Sequence, residues 1–243
     1  MQAGAEHFGA RTEYAEVSDA ELSGHIKRLH TSNGEYESPV VIIAAGASPK
    51  KLGLPGEEAL VGRGVAYCAS CEGMFFKGKS VAVIGGGNAA CADALTLSKL
   101  CRKVSIVHRR DTLRAEKVYE QALRKAQNIE FIWNAQVERL LFDKALTGLV
   151  LRDKITGRAF ELPCDGVFAA IGRAPNTAFV RGKLHLDEQG YIVSDETTRT
   201  NIPGVLAVGD VRTKPLRQIV TAAADGAVAS KFAQEYLAGR GFA

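Results

Sequence analysis

Two cysteines separated by two residues, in Cys68-Ala69-Ser70-Cys71-Glu72-Gly73, are the side chains of this 243-residue chain best suited to chemistry. Such a pair is a redox-active dithiol, half of a metal site, or chance. Zinc needs two further ligands, usually from a second close pair. The remaining cysteines, Cys91, Cys101 and Cys164, form no such pair, and the histidines at 7, 25, 30, 108 and 185 show no metal spacing. No metal is therefore expected. The redox reading needs a disulfide that accepts electrons and a thiolate that attacks another disulfide. A two-residue gap permits an intramolecular disulfide. Glu72, beside the second cysteine, moves protons as the pair cycles if its pKa lies near working pH. The plainer alternative is an exposed acid.

A second chemical signal follows at once. Ile84-Gly85-Gly86-Gly87-Asn88-Ala89-Ala90 fits G-x-G-x-x-A between an apolar strand and a helix. Gly85 allows the tight turn, and Gly87 lets the backbone approach a pyrophosphate seated at the helix N-terminus. Ala90 allows close packing of helix on strand. A plain glycine-rich turn is the alternative. The next strand ends about 20 residues on, where a dinucleotide's ribose is read and an NAD site carries Asp or Glu. This chain has Val107-His108-Arg109-Arg110 there, with Arg114 one helical turn later. Guanidinium groups at that point suit a 2′-phosphate, so NADPH is expected over NADH. A nicotinamide and a dithiol still need a link, because direct hydride transfer to sulfur is not the usual route; a flavin normally stands between them.

These residues need elements to hold them. Asn33-Gly34 between two polar-apolar runs reads as a hairpin turn. Residues 40–44, 79–84, 103–107, 129–133, 137–142, 147–153, 167–171 and 205–208 read as strands, and 88–99, 113–126 and 216–237 as helices. The Gly- and Pro-rich stretch after Gly46 reads as a linker. Alternating strands and helices predict α/β domains on parallel sheets. Charged residues make up 24%, apolar residues 46%, and the net charge is +4. That is an ordinary globular composition, suited to anionic small ligands and giving no footprint for nucleic acid. No apolar run reaches the roughly 18 residues of a membrane span. The N-terminus has no secretory pattern, so a reducing cytoplasm is expected.

Taken together, CASCEG before the glycine loop, VHRRDTLRAEK, FAAIGRAPNT and GDVRTKPLRQ, in this order, resemble the bacterial-type, low-molecular-weight thioredoxin reductases. The resemblance spans the chain. It implies two Rossmann-like nucleotide-binding domains, NADPH and FAD as cofactors, a thioredoxin-like dithiol protein as partner and a homodimer. It implies that Cys68 attacks the partner and Cys71 lies nearer the flavin. Glu72 stands where the family usually has Asp as proton donor, and Ser70 where it has Thr. Gly209-Asp210 would bind the flavin's ribityl chain, and Arg217, Gln218 and Ile219 would contact the flavin. The implied organisation is a FAD-binding domain of residues 1–47 and 173–243, interrupted by an NADPH-binding domain of 48–172 that carries the CxxC. The family opens with a second glycine motif for the FAD pyrophosphate, and this chain contains no second G-x-G-x-x-G. An incomplete flavin domain is therefore expected. A non-catalytic NADPH-binding remnant and a reductase serving another dithiol carrier are the other readings.

Overall fold

The computed structural model describes residues 2–241. The chain divides into two compact units. One comprises residues 49–173; the other comprises residues up to Ser48 and from Ala174 onward.

The first unit is built on a five-stranded sheet, in the order Val65–Ala66, Gly166–Ala169, Ser80–Ile84, Lys103–Val107, Ile129–Ile132. Every pairing in it is parallel. Parallel strands buried on both faces need uniformly apolar runs. Val81 to Ile84 supplies one, and Val104 to Val107 another interrupted only by Ser105, whose hydroxyl donates to Glu130; every one of these residues is buried. The helix Asn88–Ser98 crosses between the two central strands and buries Ala90, Cys91, Ala94 and Leu97. These form one core with Val83, Ile106 and Phe168. On the other side, Val65, Ala82 and Val167 meet Leu140, Leu149 and Leu151 from an antiparallel sheet of Ala135–Phe142, Leu146–Asp153 and Ala159–Pro163. Its first two strands were expected at about these positions; the third was not.

Sequence and structure part at the helix expected over 113–126. It runs only from Lys117 to Lys125. The residues before it have helical types, but their amides are engaged elsewhere. Arg114 N–H donates to the Gly86 carbonyl at 2.7 Å, and Glu116 N–H to Asn88 Oδ1 at 2.9 Å. The segment is thus held as a loop against the glycine turn.

The second unit opens with the short helix Gln2–His7. A three-stranded antiparallel meander follows: Val17–Glu21, Lys27–Thr31 and Gly34–Ser38. The expected Asn33-Gly34 hairpin joins the last two. A parallel pair, Val41–Ile43 beside Val205–Ala207, forms its centre. Ile43, Val205, Ala207, Val180, Ile192 and Val211 bury one another there. The helix Ile219–Ala238 starts three residues later than expected, because Gln218 and Thr221 close a reciprocal capping box at its N-terminus. Among the described residues, no helix is long and apolar enough to cross a membrane.

Candidate active site

Cys68 and Cys71 are joined as a disulfide, with Cα atoms 5.3 Å apart. Cys68 is extended and caps the four-residue helix Ala69–Glu72. Its sulfur accepts from Cys71 N–H at 3.2 Å and lies 3.3 Å from Ser70 Oγ. Cys71 is exposed and Cys68 half-buried. Glu72 folds back under this turn, and its Oε2 accepts from Tyr67 N–H at 3.1 Å and Cys68 N–H at 3.3 Å. The acid expected as a proton donor is therefore also a backbone clamp on the dithiol. Before the pair, the Tyr67 hydroxyl donates to Glu57 Oε1 at 2.7 Å, and Glu57 also accepts from Leu52 and Gly53 N–H, each at 2.8 Å. Burial and this bond raise the Tyr67 pKa, so the phenol stays protonated. Burial alone would raise Glu57, but the Tyr67 bond and the amides outweigh it and hold Glu57 below its ordinary value. Glu57 was not singled out from sequence. LGLPGEE reads as a loop, and nothing local marks its carboxylate as the group that orders it.

A cleft of about 320 Å³ opens at the C-terminal ends of the central parallel strands. Its walls include Gly85, Gly86, His108, Arg109, Arg114 and Gln136. Gly85 has φ +148°, and a Cβ there would lie 2.5 Å from the Ala170 carbonyl oxygen and 2.9 Å from the Ala90 methyl group. Ala90 thus does the close packing expected of it. A Cβ on Gly86 would lie 2.4 Å from the His108 ring, whereas one on Gly87 would enter open space. A ligand can approach the Gly87 backbone closely, as a pyrophosphate requires. His108 is buried at 4% exposure, and its Nε2 has no hydrogen-bond partner among the described residues. Burial first, and then Arg114, lower its pKa, so the ring is neutral at pH 7. The residues present fit a dinucleotide phosphate: the Arg109 and Arg114 guanidinium-bearing side chains and the glycine turn line one cleft, with His108 in its wall. Of the other residues expected to bind the dinucleotide, Gly87, Asn88, Ala89, Ala90 and Arg110 are not part of its wall. Asn88 instead exchanges two hydrogen bonds of 2.9 Å with Glu116, tying the arginine loop to the helix start. Gln136 was not anticipated; it comes from a strand with no motif.

The second unit has its own cleft of about 380 Å³, between Ala44, Gly46 and Ala47 on one side and Val208, Gly209, Asp210, Gln218 and Ile219 on the other. Four of the five expected flavin contacts, Gly209, Asp210, Gln218 and Ile219, meet here. The cleft joins the ends of two parallel strands to the N-terminus of a 20-residue helix, an arrangement suited to an anionic cofactor. Arg217 is not in its wall. The guanidinium lies 3.8 Å over the Tyr191 ring and donates to the Arg212 carbonyl at 3.3 Å. Behind the cleft lies Asp225, which accepts from Gly209 N–H at 2.8 Å, Arg212 Nε and Nη2 at 2.9 Å each, and Lys214 Nζ at 2.7 Å. Burial opposes the charge, but these donors outweigh it and hold Asp225 well below the usual carboxylate range. Asp225 escaped the sequence reading because AAADGA resembles ordinary helix.

Among the described residues, no group of three metal-ligating side chains comes together.

A family model described as pyridine nucleotide-disulphide oxidoreductase matches residues 4–226. The chain is 43% identical to the thioredoxin reductase of Peptoclostridium litorale, covering 98% of this chain and 77% of that one. It is also 43% identical to the thioredoxin reductase of Listeria monocytogenes, with 98% and 75% covered. The crystal structure of thioredoxin reductase from Streptococcus pyogenes superposes with a TM-score of 0.87 at 38% identity, over 98% of this chain and 78% of that one. Thioredoxin reductase from Giardia duodenalis gives 0.87 at 33% identity, over 98% and 79%.

Proposed function

The chain belongs to the pyridine nucleotide-disulphide oxidoreductases, among the thioredoxin reductases, and on that premise we propose that it is an NADPH-dependent flavin disulfide reductase acting on thioredoxin or a similar small dithiol protein. The observation that carries this reading is the pairing, in one unit, of an accessible Cys68–Cys71 disulfide with a glycine-floored cleft walled by Arg109 and Arg114.

In this reading the Gly85–Gly87 turn admits the dinucleotide pyrophosphate, and Arg109 and Arg114 bind its 2′-phosphate through charge-assisted bonds. The neutral His108 ring packs against Gly86 in the same wall. In the other unit, Asp210 accepts hydroxyl hydrogen bonds from the ribityl chain of FAD, and the N-terminus of Ile219–Ala238 favours negative charge beside Gln218. When bound, the flavin accepts a hydride from NADPH and supplies two electrons to sulfur. With those electrons and one proton, the Cys68–Cys71 bond opens to one thiol and one thiolate. Cys71 is the more exposed, but Cys68 has the better-supported thiolate, because it sits at a helix start and accepts Cys71 N–H. That favours Cys68 as the attacking sulfur. It displaces one partner sulfur as a thiolate and forms a mixed disulfide. Cys71, losing its proton to the carboxylate of Glu72 or to water, then attacks Cys68. The intramolecular disulfide re-forms, and the partner leaves as a dithiol once that proton and a second one from solvent reach its two sulfurs.

The test is to trap the intermediate. Cys71→Ser, reduced, freed of reductant and mixed with oxidised thioredoxin, should accumulate a mixed disulfide through Cys68 when iodoacetamide caps the displaced thioredoxin thiol before it can return. Cys68→Ser should accumulate none. Trapping only in Cys68→Ser would reverse the assignment of the two sulfurs. Trapping in neither would reject the dithiol partner.

A further inference from the structure

The mechanism above uses Cys68, Cys71 and Glu72 and gives no part to Glu57, a carboxylate that is 2% exposed. Donors from two segments converge on it. Leu52 N–H reaches Oε1 and Gly53 N–H reaches Oε2, each at 2.8 Å, and the Tyr67 hydroxyl reaches Oε1 at 2.7 Å. The two segments lead to different places. Leu52 lines the glycine-floored cleft. Tyr67 immediately precedes Cys68, and the backbone N–H groups of both are held by Glu72. Tyr67 is therefore tied at both ends, through its ring by Glu57 and through its backbone by Glu72, directly before the first sulfur. All of these residues belong to one compact unit.

We propose that Glu57 is a positioning residue shared by the nucleotide cleft and the dithiol: through Leu52 it sets one wall of the cleft, and through Tyr67 it holds the turn in which Cys68 and Cys71 pair. The inference rests on the disulfide-reductase reading above and adds a residue that acts on both of its sites. The Tyr67 arm has a thermodynamic consequence. A hydrogen bond equally strong in the disulfide and dithiol forms cancels from the redox equilibrium. A disulfide confines its two Cα atoms to a narrow range of separations, so it demands this turn, whereas two free thiols do not. Fixing Tyr67 fixes the approach to Cys68, raises the effective concentration of one thiol at the other and so favours the disulfide. The Leu52 arm acts on the ligand instead, because a wall held in place needs no ordering when the nucleotide binds.

Neighbouring residues show that this role belongs to Glu57 and not to acids in general. Glu58, the next residue, is exposed and pairs with Lys51 at the surface, where an ion pair contributes little. Glu57 is buried, stays charged because its donors outweigh burial, and faces a phenol that stays protonated, so acceptor and donor keep their roles through neutral pH. The two arms can be cut separately. Tyr67→Phe removes the hydroxyl and leaves Glu57 on the Leu52 and Gly53 amides. Glu57→Ala removes both arms.

The experiment reads the two sites in the full chain. The protein is equilibrated with mixtures of reduced and oxidised dithiothreitol; the reagent gives two electrons and two protons to the Cys68–Cys71 disulfide and closes to its own cyclic disulfide. Acid quenching, alkylation and peptide mass give the fraction of dithiol. Affinity for NADP+ is read separately by calorimetry. Tyr67→Phe should shift the redox equilibrium constant roughly threefold to tenfold toward the dithiol, as loss of one net hydrogen bond from the disulfide form implies, with NADP+ affinity as in wild type. Glu57→Ala should shift it in the same direction and also weaken NADP+ about threefold or more. A bond that is structural only would lower the melting temperature of Tyr67→Phe and leave its redox equilibrium where it was, which would overturn the proposal. So would a shift toward the disulfide, or a folded Glu57→Ala with wild-type NADP+ affinity. The Tyr67→Phe arm decides the matter if Glu57→Ala fails to fold. A wild-type chain that binds no NADP+, or whose disulfide resists dithiothreitol, would overturn the reductase reading and this inference with it.

Discussion

The two units each withdraw an aspartate from water, Asp225 almost fully and Asp93 in part, and they treat it in opposite ways. Asp225, behind the cleft of the second unit, receives hydrogen bonds from a backbone amide, an arginine and a lysine. Asp93, on the helix Asn88–Ser98 of the first, has the Ala69 amide to oppose its burial. Burial raises both. In the first case the donors win and the carboxylate stays charged well below its ordinary range; in the second, burial wins and the acid titrates near pH 6. Burial alone therefore does not say whether an acid is structural. The number and charge of its donors decide whether it is a fixed anchor or a titrating group.

Removing the anchor should have the largest effect. Asp225→Ala leaves Arg212 and Lys214 buried without their counter-charge, which typically costs about 3–5 kcal/mol. Urea denaturation should show that loss, with the transition of the second unit affected most. The pH dependence has a definite sign. The Asp225 pKa is depressed on folding, so its contribution is present above the unfolded value near 4 and is lost as pH falls below it. A flat acid limb in wild type would contradict the anchor role.

Asp93 should show the reverse. Its folded pKa lies above its unfolded value, so stability should fall as pH rises from about 4 to 6 and then level off. Asp93→Asn should therefore be more stable than wild type at pH 7, on the order of 1–2 kcal/mol after discounting for partial exposure, and equal to it near pH 4. Destabilisation at both pH values would show that the carboxylate is an anchor after all.

A smaller effect is expected in the nucleotide cleft, where charge serves a ligand rather than the fold. Arg109→Ala combined with Arg114→Ala should weaken NADPH binding roughly tenfold and leave NADH nearly unchanged, as loss of charge-assisted phosphate contacts implies. Calorimetry with both nucleotides checks this, and equal losses would reject a 2′-phosphate site. Smallest of all, Tyr67→Phe removes one hydroxyl from the Glu57 carboxylate and should cost about 1 kcal/mol in thermal unfolding.

The same contrast explains what was legible in the sequence. Continuous apolar runs announce parallel strands, so Ser80–Ile84, Lys103–Val107 and Val205–Ala207 could be placed from residue type alone. Gly85 and Ala90 were readable because close backbone packing tolerates little else there. The start of the helix Lys117–Lys125 was not. Residues 113–116 have helix-forming types, and only the bonds of Arg114 to Gly86 and Glu116 to Asn88 keep them out of the helix. Arg217 matched a flavin motif by position, yet its guanidinium packs on Tyr191, a residue 26 positions earlier, where no local pattern points. Asp93 and Asp225 both read as ordinary polar positions on helices. Their surroundings come from distant segments, so their charge states follow from tertiary packing rather than from any spacing.

The central claim is that the Cys68–Cys71 disulfide is the electron outlet of a pyridine-nucleotide enzyme. Its most direct test is to incubate the purified full chain with FAD under anaerobic conditions, add stoichiometric NADPH, quench with acid and alkylate the thiols formed. The account predicts labelling of Cys68 and Cys71 together, with the buried Cys91, Cys101 and Cys164 labelled to the same extent with and without NADPH. A disulfide that stays unlabelled with NADPH, yet opens readily with dithiothreitol, would contradict it.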